Sequence, residues 1–370
     1  MSTSTPYGPG IGKTPPMPIS KFRTDTDITR KVFRPIEFVG ETSIRVIAFA
    51  ALAAIVLIMA FVFRETLPIF SPASAHRDTS IPVGESESYG DVPEDPSVIA
   101  PLDAGNSTEM ETAGGEGVAS IGNLLDNEWQ PVSSNPRYGL IPLMIGSLKV
   151  TFIAIFFAGP IGILAALFAV AFAPRWVQEI FKPTVEILAG FPSVVVGFFA
   201  LIIMATFLQD LFGYQFRLNA FVGGLALSLA VIPIIFTVTE DALNAVPKSF
   251  TEASLALGAN KWQTVLFVVF PAATPGVMAS LILGFGRAFG ETMIVLMATG
   301  NAALMTLDPL SPVRTMSATI GAEMAEVVFG DTHYNVLFLI GSILFVFTFV
   351  LNALAEFWVR QKLMKRFRGN

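Results

Sequence analysis

The chain has 370 residues and a formal net charge of −6; 53% of its residues are hydrophobic and only 14% are charged. Several apolar runs exceed the ~20 residues that a helix needs to cross a bilayer, which disfavours a pair of soluble domains and predicts an all-α polytopic membrane protein. The sequence has no cysteine, which excludes disulfides and thiolate chemistry, and its only two histidines, His76 and His333, argue against a histidine metal centre.

The chain begins with a tail and a membrane helix. Residues 1–43 are predicted to be a cytoplasmic tail, rich in Pro, Ser, Thr and Gly and partly disordered at its start, and basic toward its end. Residues 44–63 are predicted to be the first transmembrane helix. Because the leader of a cleavable signal peptide would be much shorter than this tail, we expect the helix to be retained.

An acidic loop follows over residues 64–139. Between residues 64 and 138 it holds thirteen acidic and three basic residues, whereas the other flank of the first helix is basic. This asymmetry places the amino terminus in the cytoplasm and the acidic loop outside it. The loop composition predicts little fixed structure, so we interpret it as a solvated spacer, with a contact surface for a partner as the alternative.

The rest of the chain is a membrane core and a short tail. Residues 140–358 are predicted to hold five more transmembrane helices, and residues 359–370 a basic cytoplasmic tail. The predicted spans are 140–172, about 184–208, 220–239, 276–298 and 334–358. Six spans and a cytoplasmic amino terminus place the loop over residues 241–275 on the cytoplasmic side.

Three charged features of the core carry expectations of their own. We expect Lys149, in the second span, to snorkel to the membrane interface. Residues 175–182 are predicted to be a short basic loop. Glu186 is then expected in the first turn of the third span, close to water.

The cytoplasmic loop has the signals of two short helices. Ser249 and Glu252 have capping-box spacing, in which each side chain bonds the backbone N–H of the other residue. Gly258 is suited to end that helix. Asn260 is suited to cap a second helix, predicted to stop before Pro271. Two short helices at an angle would form a compact knob that fits a socket on another protein.

The same loop resembles the "EAA" loop of ABC importer permeases. The resemblance rests on Glu252, Ala253, Ser254, Gly258 and Pro271, with the glycine six and the proline nineteen residues after the glutamate. Ser254 departs from the second alanine of that family. The resemblance implies the type I ABC importer permease fold, with this loop as the coupling helix that docks on a cytoplasmic ATPase. A plain amphipathic connecting loop is the alternative.

The fifth predicted span carries a charged pair near its middle. Arg287 and Glu291 are four residues apart and would project from one helix face. Either charge would be costly against lipid, so both should face a partner or a wet cavity. Gly284, Gly286 and Gly290 remove side chains beside them and favour close helix approach. The alternative is an Arg–Glu pair that only locks two helices together.

Residues 286–292 resemble the matching segment of phosphate-importer permeases of the PstC type. The resemblance implies a substrate path for phosphate that contains Arg287, Glu291 and Thr292. A guanidinium fork suits a tetrahedral oxyanion. We hypothesise that Glu291, which when ionised only accepts hydrogen bonds, tolerates protonated phosphate and repels sulfate. Asn301 is a further candidate neighbour.

The sequence predicts transport and not catalysis. It contains no G-x-x-x-x-G-K-[ST] motif, so we expect ATP hydrolysis on a separate subunit, and we predict no catalytic residue, no metal site and no cofactor in this chain. The resemblance implies a bacterial inner-membrane location. It also implies a second homologous permease subunit, two copies of an ATP-binding cassette subunit and an extracytoplasmic phosphate-binding protein, and no nucleic acid.

Three other functions remain open at this point. The first is a permease for another oxyanion such as sulfate or molybdate. Against it, segments 129–140 and 286–292 both resemble PstC-type permeases, and this resemblance favours phosphate. The second is an ATP-independent carrier or channel, which leaves the spacing of the cytoplasmic loop to chance. The third is a non-transporting membrane scaffold or sensor, in which the charged pair would only join helices.

Overall fold

A computed structural model of the chain describes residues 35–70, 121–133 and 135–367. The predictions for the amino-terminal tail and for most of the acidic loop therefore lie outside the described residues. The chain divides into two units, Met1–Leu57 and Ile58–Asn370, and the boundary between them lies within the first helix.

The described residues are mostly helical. In chain order the α-helices are α1 (Pro35–Thr66), α2 (Ile121–Leu124), α3 (Ile141–Leu167), α4 (Arg175–Ala189), α5 (Ser193–Phe199), α6 (Ala205–Phe212), α7 (Ala220–Asn244), α8 (Lys248–Ala256), α9 (Lys261–Thr264), α10 (Phe270–Phe289), α11 (Met293–Ala298), α12 (Met316–Glu323) and α13 (Thr332–Phe367). A 3₁₀ turn, Leu67–Phe70, follows α1. Strands β1 (Trp129–Gln130) and β2 (Arg137–Tyr138) pair antiparallel. Three π-helical segments, Phe168–Phe172, Ala200–Met204 and Val265–Val269, continue α3, α5 and α9.

Six helical segments of the described chain are long and apolar enough to cross a membrane. They are Arg45–Phe70, Ile141–Phe172, Ser193–Phe212, Ala220–Asn244, Lys261–Phe289 and Thr332–Phe357. This confirms the predicted all-α polytopic architecture with six spans. The bounds of the third and fifth spans differ from those predicted, and the first span ends at Phe70, later than predicted.

The third span begins later than predicted, because the predicted basic loop is a helix. In α4, charged residues repeat at helical spacing along one face and apolar residues along another, which is the pattern of an amphipathic helix. The charged residues are Arg175, Glu179, Lys182 and Glu186, and the exposed apolar residues are Trp176, Ile180 and Ile187. Helix α4 ends at a break over residues 190–192, so Glu186 lies near the end of α4 and not in the first turn of the span.

The fifth span differs at both ends. The helix that begins at Lys261 does not stop before Pro271 but continues through the π-helical segment into α10. Pro271 is the second residue after the π-helical segment, whose wider turn accommodates a residue that has no backbone N–H. The helix then ends at Phe289, and a break over residues 290–292 separates it from α11. Arg287 therefore lies in the last turn of α10 and not near the middle of the span.

Helix α7 packs against both α3 and α10 through glycines. A Cβ atom on Gly162 of α3 would lie 2.9 Å from Cγ2 of Ile235, and one on Gly284 of α10 would lie 2.9 Å from Cγ1 of the same side chain. A Cβ on Gly276 would lie 2.3 Å from Cβ of Ala242. Real Cβ atoms do not approach so closely, so these helix crossings require glycine.

Lys149 fastens α3 to the loop after α11. Its ammonium donates hydrogen bonds to the carbonyl oxygens of Thr306, at 2.8 Å, and Asp308, at 2.9 Å. The sequence predicted only that this side chain snorkels to the interface. The two hydrogen bonds, which were not predicted, give Lys149 a structural role.

We predict that Gly284→Ala destabilises the protein by about 1–3 kcal/mol, because the added methyl group overpacks the contact with Ile235. The control is Gly341→Ala in α13, whose Cβ would lie 3.8 Å from Cδ1 of Ile320, an ordinary contact. The control should be neutral or slightly stabilising, since alanine favours helix. Thermal unfolding in detergent measures both variants, and equal melting temperatures would contradict the prediction.

Candidate functional site

The break between α10 and α11 is held by hydrogen bonds. The backbone N–H of Glu291 donates to the carbonyl of Ala288 at 3.2 Å. The carbonyl of Glu291 accepts from the hydroxyl of Ser317, in α12, at 2.6 Å. The polar backbone that the broken helix exposes is thus partly satisfied by a side chain from another element. Sequence reasoning did not single out Ser317.

The predicted charged pair is formed at this break. Nη2 of Arg287 lies 3.3 Å from Oε2 of Glu291. The two side chains differ in environment, since 53% of Arg287 is exposed and only 5% of Glu291. Within the described chain, Arg287 has no other ionic or hydrogen-bond partner. Most of its five N–H donors are therefore free to bind an anion.

The three glycines near this pair have different surroundings. Gly284 lies against α7, as described above. A Cβ on Gly286 would lie 3.2 Å from Oδ1 of Asn352, in α13. A Cβ on Gly290 would have within 4 Å only the carbonyl oxygen of Gly286, at 3.7 Å. Gly290 ends α10 and leaves open space rather than receiving a second helix.

The two candidate neighbours of the pair contact other elements. A Cβ atom added to Gly321, in α12, would lie 2.6 Å from Cγ2 of Thr292. The Thr292 side chain therefore packs against α12. Asn301 accepts hydrogen bonds from Nε of Arg314 through its side-chain Oδ1, at 3.1 Å, and its carbonyl, at 3.2 Å. The hydrogen bonds of Asn301 thus engage Arg314 rather than Arg287.

A second charged cluster centres on Glu323, at the end of α12. Its Oε1 accepts hydrogen bonds from Nη1 of Arg314 and, at 3.2 Å, from the indole of Trp129, and its Oε2 lies 2.9 Å from Nε2 of His333. Burial raises the pKa of Glu323, but the hydrogen bonds from His333 and Trp129 and the charge of Arg314 outweigh it, so the pKa lies below its usual value. The cluster joins β1, α12 and α13.

Sequence reasoning assigned no role to Glu323. Its partner Trp129 lies 194 residues away in the chain. Spacing along the sequence therefore gave no signal for this cluster, which only the tertiary fold assembles.

The knob over residues 248–264 differs from the prediction at its first helix. Pro247 is the N-cap of α8, with no side-chain cap bond, so the predicted capping box of Ser249 and Glu252 is wrong. Ser249 lies two positions after the N-cap, inside the first turn, and Glu252 lies beyond that turn, so neither can cap the helix. Gly258 follows α8 with a φ of 87°, a conformation that favours glycine.

The second helix of the knob is capped as predicted, by a capping box of Asn260 and Gln263. Ser254, which departs from the alanine of the resembled family, is buried, and its hydroxyl lies 2.9 Å from that of Thr264. This contact ties α8 to α9. Glu252 and Ala253 are exposed. The exposed large apolar side chains of the knob are Phe250, Leu255, Leu257 and Trp262.

An ion pair joins α4 to α7 near the knob. Nζ of Lys182 lies 2.6 Å from Oε1 of Glu240, whose side chain is buried. The hydrogen bond with Glu240 and the charge of that carboxylate raise the pKa of Lys182. Because α7 leads into the knob, this pair connects α4 to the same end of the molecule.

Comparisons with known proteins agree with this architecture. Residues 158–362 match the family described as binding-protein-dependent transport system inner membrane component. YqgH of Bacillus subtilis, a probable ABC transporter permease protein, is 35% identical over 241 residues, covering 65% of this chain and 78% of that protein. PstC of Mesorhizobium japonicum, a phosphate transport system permease protein, is 32% identical over 253 residues, covering 63% of this chain and 76% of that protein. A structure of the MetNI methionine ABC transporter in inward-facing conformations aligns with a TM-score of 0.45 at 20% identity, covering 58% of this chain and 92% of that one.

We predict that Glu323→Gln lowers stability by about 2 kcal/mol at pH 7, because it weakens hydrogen bonds to a charged group. A carboxyl whose pKa is lowered by folding stabilises the protein above its unfolded pKa, and this contribution is lost as the pH falls through the folded pKa. The melting temperatures of wild type and variant should therefore differ at neutral pH and converge as the pH falls below the usual glutamate value of 4.5.

The control for this experiment is Glu326→Gln, which changes an exposed carboxylate three residues farther along. It should leave the melting temperature unchanged throughout the pH range. A difference between wild type and Glu323→Gln that grew toward low pH would contradict the prediction.

Proposed function

The chain belongs to the family of binding-protein-dependent transport system inner membrane components, and from that premise we propose that it is the permease subunit of an ATP-driven importer of inorganic phosphate. Membership makes it an inner-membrane component of an ABC importer, and such permease subunits are not themselves enzymes. Phosphate as the cargo is the proposed part. It is supported by relatives named phosphate transport system permease protein and by the chemistry at the break after α10.

The half-exposed guanidinium of Arg287, beside the buried carboxylate of Glu291, is the observation that carries the proposal. A charged side chain at the end of an apolar span faces a polar path, a partner or the water interface, and not lipid. An arginine fork can donate two parallel hydrogen bonds to a phosphate. The proposal assigns binding of the anion to Arg287 and selection for a protonated anion to Glu291, with Thr292 as a packing neighbour in the same path.

Glu291 would distinguish phosphate from sulfate by the hydrogen bonds it can accept. At neutral pH phosphate still carries a proton, whereas sulfate has none. An ionised carboxylate has only acceptors, so it can bind the hydroxyl of phosphate and repels the bare oxygens of sulfate. In the empty site, the same carboxylate holds Arg287 in place.

The knob would couple this chain to its energy source. Its exposed apolar side chains and its compact shape suit a socket on an ATP-binding cassette subunit, and the proposal places it in the cytoplasm. The assembly would then contain a second homologous permease, two copies of the ATPase subunit and an extracytoplasmic phosphate-binding protein. ATP would bind to the partner subunits and not to this chain.

We predict that Arg287→Ala lowers phosphate-stimulated ATP hydrolysis by the purified assembly at least about 100-fold, since it removes a charged bidentate contact. Arg287→Lys should restore part of the activity, because it keeps the charge and loses the fork. Glu291→Gln should retain phosphate stimulation and gain stimulation by sulfate, the control anion. If all three variants behave as wild type, the pair is structural and the site lies elsewhere.

We predict that Gly258→Val abolishes co-purification of the ATPase subunit in detergent, because a β-branched residue at a φ of 87° distorts the knob. The matched control is Gly330→Val, which places the same side chain at a φ of 82° in the loop before α13. Neither position has an atom within 4 Å of the added Cβ, so the two variants differ in place and not in crowding.

Gly330→Val should keep the ATPase subunit. Glu252→Lys, which alters the exposed surface of the knob without straining its backbone, should lose it. Equal loss from both glycine variants would show general misfolding, and retention in Gly258→Val and Glu252→Lys would contradict the coupling role.

A further inference from the structure

Asn352 is a polar residue in an unusual position. It lies exposed in the candidate membrane span Thr332–Phe357. Its side-chain amide has no hydrogen-bond partner within the part of the chain that the structure describes. An amide facing hydrocarbon without a partner is costly, so this side chain should face a polar path or another molecule.

Aromatic contacts fix Asn352 beside the last turn of α10. The ring centroids of Phe347 and Phe289 are 4.3 Å apart, and those of Phe347 and Phe285 are 6.5 Å apart. One turn farther along α13, Oδ1 of Asn352 would lie 3.2 Å from a Cβ atom on Gly286. Gly286 immediately precedes Arg287. The amide thus lies next to the helical turn that carries the proposed anion-binding arginine.

The two glycines of this turn leave the helix surface beside Asn352 without side chains. Gly286 has only the amide of Asn352 near its missing side chain, and Gly290 has no side chain at all within 4 Å of its own. Gly286 and Gly290 are four residues apart and so lie on one face of the helix end. We call this side-chain-free face, together with Arg287 on the adjoining face and Asn352 on the neighbouring helix, the groove.

We propose that Asn352 is a second side chain that contacts the transported oxyanion. Its Nδ2 would donate a hydrogen bond to one oxygen of the anion, while Arg287 supplies the charge. Its Oδ1 would accept a hydrogen bond from a protonated oxygen, which adds to the preference for phosphate over sulfate. This inference rests on the proposed function, because it names a further residue of the same site.

The experiment measures phosphate-stimulated ATP hydrolysis and phosphate uptake by the complete assembly in proteoliposomes. Asn352→Ala should raise the apparent KM for phosphate about tenfold, because it removes one hydrogen bond to a charged group. It should leave kcat within about twofold of the wild-type value. Asn352→Asp should raise the KM further, because a carboxylate repels the anion and competes for Arg287. Gly286→Ala, which narrows the floor of the groove, should also raise the KM.

The matched control is Thr274→Val, which removes an exposed hydroxyl that bonds within α10 to the carbonyl of Phe270, far from the groove. It should leave the KM unchanged. An unchanged KM in both Asn352 variants would overturn the inference. Loss of assembly without a change in KM would overturn it too, because Asn352 would then be a contact between subunits.

The Arg287→Ala variant in the same assay distinguishes failure of the proposed function from failure of the inference about Asn352. If that variant loses phosphate stimulation while both Asn352 variants behave as wild type, the proposed function stands and the inference fails. If the wild-type assembly is not stimulated by phosphate, the proposed function fails and the inference fails with it.

Discussion

Apolar helices in a bilayer gain little from the hydrophobic effect when they associate, because lipid tails are as apolar as their side chains. Close packing has to hold them together, and here it does so at Ile235, which fits between Gly162 and Gly284. The two glycines let α3 and α10 both approach α7 at the same side chain. This arrangement makes α7 the centre of the core and fixes the position of α10, whose last turn carries Arg287.

The polar features of the site depend on where helices break. The break after α10 ends one helix beside Arg287 and begins another beyond Thr292, and Ser317 satisfies the carbonyl at its centre. Helix α12, which supplies Ser317, is itself anchored by the cluster around Glu323. Contacts therefore connect strand β1 through α12 to the backbone of the break. Because α12 lies in the chain between α11 and α13, that part of the chain helps to support the site.

One continuous helical segment joins the knob to the proposed anion site. It begins at the capping box of Asn260 and ends at Phe289, two residues beyond Arg287. At 1.5 Å per residue the distance from its start to Arg287 is about 39 Å. The segment contains a π-helical stretch and Pro275, yet it stays helical throughout. Sequence reasoning separated the knob from the charged pair, and the structure places them at opposite ends of one helical segment.

The sequence alone determined the features that depend on local chemistry. The long apolar runs determined the six spans, because a helix that crosses a bilayer needs such a run however the helices pack. The cap at Asn260 and the turn at Gly258 follow from the backbone preferences of single residues. Only the tertiary structure decided where helices continue or break. Pro271 proved compatible with a helix because a π-helical segment precedes it, and the break after Phe289 is stabilised by a hydroxyl from α12. The partners of Glu323 and the groove between Arg287 and Asn352 also come from distant parts of the chain, and packing brings them together where no spacing rule could.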